Sequence, residues 1–167
     1  TSEQLFARID YQSLNYGTSL GRLVFITAEE LETRNVSFRD IVVLDQVPKN
    51  ISVVAGIITQ EFQTPLSHIN VLSQNRGTPN MALRSAYSHD GLRALEDKWI
   101  KLEVGPFEYT VSEVTEGEAE AWWKGHQPAA VSVSSMDLET RELRDIEDIL
   151  DLDSYSLADA LAMAIPA

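Results

Sequence analysis

With 167 residues, 44% of them hydrophobic and 23% charged, the chain has ordinary globular composition, which excludes collagen-like and low-complexity architectures. It contains no Cys, so a disulfide framework, a thiolate metal site and a cysteine nucleophile are excluded. The net charge of −13 argues against a nucleic-acid surface, which needs clustered Lys and Arg.

The charge is unevenly spread: residues 1–110 carry 13 acids and 10 bases, residues 111–167 carry 13 acids and 3 bases. No apolar run has the length of a membrane span, and the first ten residues lack the basic start and apolar middle of a signal peptide. These features predict a cytoplasmic chain without membrane contact.

In chain order, short β-branched or aromatic runs predict strands at 22–26, 40–44, 51–55, 56–59, 81–83, 99–104 and 107–112. Gly105-Pro106 predicts a hairpin turn between the last two. Helical stretches are expected at 28–33, 65–75 and 91–96. The mixture predicts an α/β domain over residues 1–112, a compact sheet flanked by few helices. Beyond it lies an acidic helical C-terminal extension, residues 113–167. Within it, 113–124 reads as an acidic helix carrying Trp122 and Trp123, and 125–135 as a linker. Leu138, Leu143, Ile146, Ile149 and Leu150 then recur at helical spacing, and 156–163 forms a last helical patch.

The informative stretch runs Gly56-Ile-Ile-Thr-Gln-Glu-Phe-Gln-Thr-Pro-Leu-Ser-His68-Ile-Asn-Val-Leu-Ser-Gln-Asn-Arg-Gly77-Thr-Pro79. A strand ends at Thr59 and a polar loop follows. Thr64-Pro65 reads as N-cap and first helical residue. Leu66, Ile69 and Leu72 share the face expected to be buried, and Gly77 occupies the position after the last helical residue. His68 then falls in the first turn, where unpaired N–H groups and the positive end of the helix favour an added anion. That setting suits a phosphohistidine. Taken on geometry alone, a lone His near a helix start is more often a surface or capping residue.

The same stretch resembles the phosphohistidine, or swivelling, domain of phosphoenolpyruvate-utilising enzymes and dikinases. The resemblance rests on Gly56-Ile-Ile-Thr59, Ser67-His68, the helix behind them and Gly77-Thr-Pro79, in that order, with Asp40-Ile-Val-Val-Leu44 as the preceding strand. It covers roughly residues 20–112. Thr64-Pro65 and Leu66-Ser67-His68 are closest to the glucan water dikinases and to bacterial proteins with a phosphoenolpyruvate/pyruvate-binding domain. The resemblance implies a swivelling β/β/α fold and a phosphoryl carrier. An ATP-grasp domain would bind Mg-ATP and phosphorylate His68, which would then pass the group to pyruvate, a glucan or water. It further implies Thr64 and Ser67 as phosphate-supporting residues, no cofactor on this domain itself, and an ATP-grasp partner in the same full-length chain, toward which the acidic extension leads. Arg76 joins them as the best-placed base near His68, although at a helix end a base more often answers the dipole. The alternative is a docking or regulatory module that keeps the fold without phosphotransfer.

The remaining candidates have plainer readings. His89 and His126 read as turn and surface residues, and three His this far apart do not form a zinc pattern. Asp145, Asp148, Asp151 and Asp153 lack the Gly and terminal Glu of a calcium loop. No Gly-x-Ser-x-Gly elbow occurs, which removes an α/β-hydrolase reading.

Overall fold

The computed structural model describes residues 10–126. Seven strands form one sheet: β1 (Tyr11–Asn15), β2 (Gly17–Ile26), β3 (Asp40–Leu44), β4 (Gly56–Thr59), β5 (Asn80–Leu83), β6 (Trp99–Val104) and β7 (Tyr109–Glu113). Among the described residues three α-helices accompany them: α1 (His68–Arg76), α2 (Asp90–Arg93) and α3 (Glu116–Gly125). The spatial order is β1-β5-β4-β3-β2-β6-β7. β2, β3, β4 and β5 run parallel to one another, and β1, β6 and β7 add on antiparallel. The chain is therefore mixed α/β.

Strand burial follows from this order. β3 and β4 lie between parallel neighbours and are buried at every residue, as parallel strands covered on both faces should be. β6 instead alternates half-buried and buried residues. Side chains of the central strands divide with period two. Ile41, Val43 and Ile58 enter one apolar cluster with Leu23, Met81, Ile100 and Leu102. Val42, Leu44 and Ile57 enter a second with Ile26, Ile51, Val54 and Ile69. Helix α1 covers the second cluster through Ile69 and Leu72.

β2 is longer than its apolar run because it changes partner. Residues Gly17 to Arg22 pair with β6, and Arg22 to Ile26 pair with β3. Residues 51–55 form no strand, contrary to expectation. The place beside β3 is taken by β4, in register from Ile41↔Gly56, and only Ala55 N–H reaches back, donating to the Asp40 carbonyl at 2.8 Å. Ile51 and Val54 bury themselves from a loop instead. β1 was not foreseen: Tyr-Gln-Ser-Leu-Asn is polar and half-buried throughout, as suits an edge strand. The expected helix at 28–33 is a single 3₁₀ turn, Glu30–Glu32, and that at 91–96 shortens to α2. The Gly105-Pro106 turn joins β6 to β7, with Gly105 N–H donating to the Glu108 carbonyl at 2.9 Å.

Helix α3 starts at a reciprocal capping box between Thr115 and Glu118 and rests against β2 and β6. Its Trp123 Nε1 donates to the Leu20 carbonyl at 2.8 Å. The expected linker at 125–135 (apart from its first two residues), the helical runs at 138–150 and 156–163, and Asp145, Asp148, Asp151 and Asp153 lie outside the described residues.

The sheet curls so that its edges meet. Tyr11 Oη on β1 donates to the Gly105 carbonyl at 2.7 Å, Ser13 Oγ donates to the Pro106 carbonyl at 3.1 Å, and the Tyr11 and Tyr109 rings stand 5.3 Å apart. Burial pushes both phenols above their usual value near 10, because it disfavours the phenolate. The folded chain thus holds these protons more tightly than the unfolded one, and stability falls as pH rises above about 10 toward the raised folded values. Tyr11→Phe is expected to flatten that alkaline decline while lowering stability at pH 7 by about 1 kcal/mol through the lost hydrogen bond. Urea titrations at pH 7 and above pH 10 measure both. An alkaline decline of undiminished slope in the variant would show that other groups cause it.

Candidate functional site

The candidate site is the loop from β4 to α1, at the carboxyl ends of the parallel strands, where open α/β sheets place their ligand crevices. Thr59 closes β4 and turns its hydroxyl onto the Glu61 carbonyl at 2.8 Å. Ser67 N–H donates to the Thr64 carbonyl at 2.9 Å, making a turn of Pro65 and Leu66. Helix α1 begins only after it. Ser67 is the N-cap, with extended backbone angles (φ −60°, ψ 145°), and its Oγ accepts from Asn70 N–H at 3.2 Å.

This corrects the expected start at Thr64-Pro65. Pro65 precedes the helix, and Leu66 is 88% exposed instead of sharing the buried face. The buried residues of α1 are Ile69, Asn70 and Ser73. Its other end agrees with expectation: Gly77 adopts the left-handed conformation at φ 64°, and its N–H bonds to the Gln74 and Ser73 carbonyls.

His68 is the first helical residue and is exposed. Val71 N–H makes the first backbone bond, to the Ser67 carbonyl at 3.0 Å, so the amides of His68 and Ile69 lie ahead of the helical ladder. These donors and the positive end of α1 therefore sit beside the imidazole.

Beneath the loop lies a buried polar network that sequence reasoning missed. Gln63, 4% exposed, is its centre. Its Nε2 donates to Thr59 Oγ1 at 3.1 Å and to Asn80 Oδ1 at 3.2 Å. Its Oε1 accepts from Ser67 Oγ at 3.2 Å and from Asn80 Nδ2 at 3.4 Å. Asn80 Nδ2 also donates to Ser73 Oγ at 3.2 Å, and Asn70 Nδ2 donates to the Pro65 carbonyl at 2.6 Å. From β1, Gln12 grips the Gln63 backbone twice: Nε2 donates to its carbonyl and Oε1 accepts from its N–H, both at 2.9 Å. Leaving one of these buried groups unpaired would cost about 1–3 kcal/mol. The available signal was Asn70, Ser73 and Asn80 standing where an apolar stripe and an apolar strand start would be usual.

The remaining candidates fall elsewhere. Thr64 is exposed, and its carbonyl serves the turn. Arg76 stands at the far end of α1, about 12 Å along the axis from His68. There its Nη1 donates to the carbonyls of Ile51 and Ser52 at 3.0 and 3.2 Å, so it pins the 51–55 loop. Beside the site loop, Gln60, Glu61, Phe62, Arg84 and Ser85 line an open hollow of about 530 Å³. In it Arg84 stands over the Phe62 ring at 5.4 Å and pairs with Asp10 at 3.4 Å.

No family model matches the chain, and no curated protein matches it. Among solved structures, the crystal structure of an MccF-like protein from Bacillus anthracis str. Ames aligns with 64% of this chain at 12% identity and a TM-score of 0.41. The chain spans 43% of that structure's length. A likeness of this size carries neither fold nor activity across.

The other two His serve local structure. His89 caps α2, its Nδ1 accepting from Leu92 N–H at 3.3 Å. His126 follows α3 and stacks on Trp122 with ring centroids 4.0 Å apart. Trp122 in turn meets Trp123 edge-on at 5.0 Å. Among the described residues, no group of three or more His, Cys, Asp and Glu could hold a metal ion, and no helix is long and apolar enough to cross a membrane.

Proposed function

We propose that this chain is a phosphoryl carrier of the dikinase type, with the swivelling phosphohistidine fold and His68 as the residue that carries the group. The observation that supports it most is His68 itself: an exposed imidazole on the first residue of a helix whose start is locked from below by buried amides. A fixed nucleophile open to solvent on one side suits a group that must meet two partner sites in turn. In the first transfer an imidazole nitrogen attacks phosphorus of ATP held by an ATP-grasp domain. The N–P bond forms as the bond to the leaving oxygen breaks, and the ring proton passes to solvent. In the second, an oxygen of pyruvate, a glucan or water attacks the same phosphorus and the N–P bond breaks. Dividing the reaction lets two distant sites share one phosphoryl group.

Negative charge arriving on the ring gains from the amides of His68 and Ile69 and from the helix dipole, an interaction of about 0.3–1 kcal/mol at an exposed site. Mg-ATP belongs to the partner domain in this reading. The test is incubation of the full-length protein with labelled ATP and magnesium. The expected product is a label on this chain that is lost in acid and kept in alkali. A chain that takes no label while its ATP-grasp partner turns over ATP refutes the carrier reading and leaves the docking module.

A further inference from the structure

Two residues compete to start α1. Thr64 followed by Pro65 has the composition of a helix start, yet the helix begins three residues later at Ser67. A start at Thr64 would place His68 in the second turn, with its amide spent on a helical bond. What distinguishes the two caps is Gln63. Its Oε1 receives the Ser67 hydroxyl proton at 3.2 Å, while the same hydroxyl oxygen accepts from Asn70 N–H at 3.2 Å. Every side-chain hydrogen-bonding group of Gln63 is engaged within the buried network, and its backbone is held by Gln12.

We infer that Gln63 is a positioning residue for His68, acting through Ser67: it selects the Ser67 cap over the Thr64 cap and so fixes the imidazole at the first helical position. This rests on the carrier reading for its functional consequence. It also changes the role of Ser67. With its proton given to Gln63 and a lone pair given to Asn70, the hydroxyl sets where the helix starts and has no proton left to donate to a phosphoryl group on His68.

Two substitutions separate positioning from mere stability. Gln63→Glu keeps an oxygen that accepts the Ser67 proton but puts a carboxyl among buried groups, losing the amide donors toward Thr59 and Asn80. Gln63→Met fills the same space with no acceptor comparable to it. The stability order by urea titration is therefore expected to be Met at or above Glu. The phosphorylation order, per folded molecule, is expected to be the reverse, with Gln63→Met slowed on the order of 10- to 100-fold, as misplaced reacting groups are, and Gln63→Glu within a few-fold of wild type. Adding Gln63→Met to Ser67→Ala should bring little further loss, since both act on one cap. Carbon chemical shifts of the 167-residue chain read the cap directly: in Gln63→Met, residues 65–67 gain helical shifts and Asn70 N–H exchanges faster, whereas Gln63→Glu retains the wild-type start. Helix-start shifts that ignore Gln63→Met, or equal slowing in both variants, would overturn the inference. Because the shifts need no phosphoryl transfer, a wild-type chain that takes no label beside an ATP-grasp partner that turns over ATP refutes the carrier reading and still leaves the cap assignment decided.

Discussion

If the chain is the phosphoryl carrier proposed above, His68→Asn is expected to abolish its acid-labile label from ATP, while His89→Asn and His126→Asn keep it. The contrast follows from position. His89 spends its Nδ1 on the amide of Leu92, and His126 lies against Trp122 with its Nδ1 2.7 Å from that residue's carbonyl. His68 is exposed, stands ahead of the helical ladder and has its cap held by Ser67 and Gln63. Asn is a suitable replacement, since it leaves Ser67 as the N-cap and the network beneath the loop intact, so loss of label in a chain of unchanged stability isolates the imidazole. On that reading the expected effect is complete loss, because the imidazole is where the group would be attached. Label that persists in His68→Asn would assign the carrier to another residue.

The second large effect concerns the sheet. Gly21→Ala is expected to destabilise the chain by about 3 kcal/mol, at the upper end for overpacking. A Cβ at Gly21 would stand 2.4 Å from the Arg39 carbonyl oxygen and 3.0 Å from both Ala55 Cβ and Ile41 Cγ1. The nearest atom is backbone, next to the residue that enters β3, and cannot rotate away as a side chain can. Gly21 also lies next to the last residue paired with β6, one residue before β2 takes up β3, so a shift there disturbs two ladders. Gly117→Ala is the control of opposite sign. Nothing lies within 4 Å of its Cβ position, and it sits in the first turn of α3, where Ala is favoured by up to about 1 kcal/mol. Urea midpoints of the two variants should move in opposite directions. A Gly21→Ala chain as stable as wild type would mean that β2 and the Arg39 backbone separate more easily than this packing implies.

Much of this was legible because its physics is local. Asp40–Leu44 and Gly56–Thr59 are apolar runs, and Trp99–Val104 an alternating one, whose boundaries coincide with the observed strands. Gly77 announced the end of α1 because only a residue tolerant of positive φ fits there. The misses depend on partners distant in sequence. β1 is a strand because β5 offers it an edge, not because Tyr-Gln-Ser-Leu-Asn prefers extension. Residues 51–55 have strand composition but meet a sheet position already filled by β4. At the site, the place of His68 in the first turn of a helix was legible, whereas the true cap was not. Choosing Ser67 over Thr64 depends on Gln63, whose own place is set by Asn80 and Gln12 from two other strands.

That last contact has a consequence for the order in which the molecule assembles. Gln12 belongs to the first strand, and β1 finds its neighbour only in β5, Tyr11 pairing with Leu83. During synthesis β1 therefore waits unpaired while β2, β3, β4 and α1 emerge behind it. Closing so long a loop is entropically costly and is repaid only when the edge strand docks. The grip of Gln12 on the Gln63 backbone is completed at that moment, so the loop carrying His68 gains its final rigidity late, when β1 docks on β5.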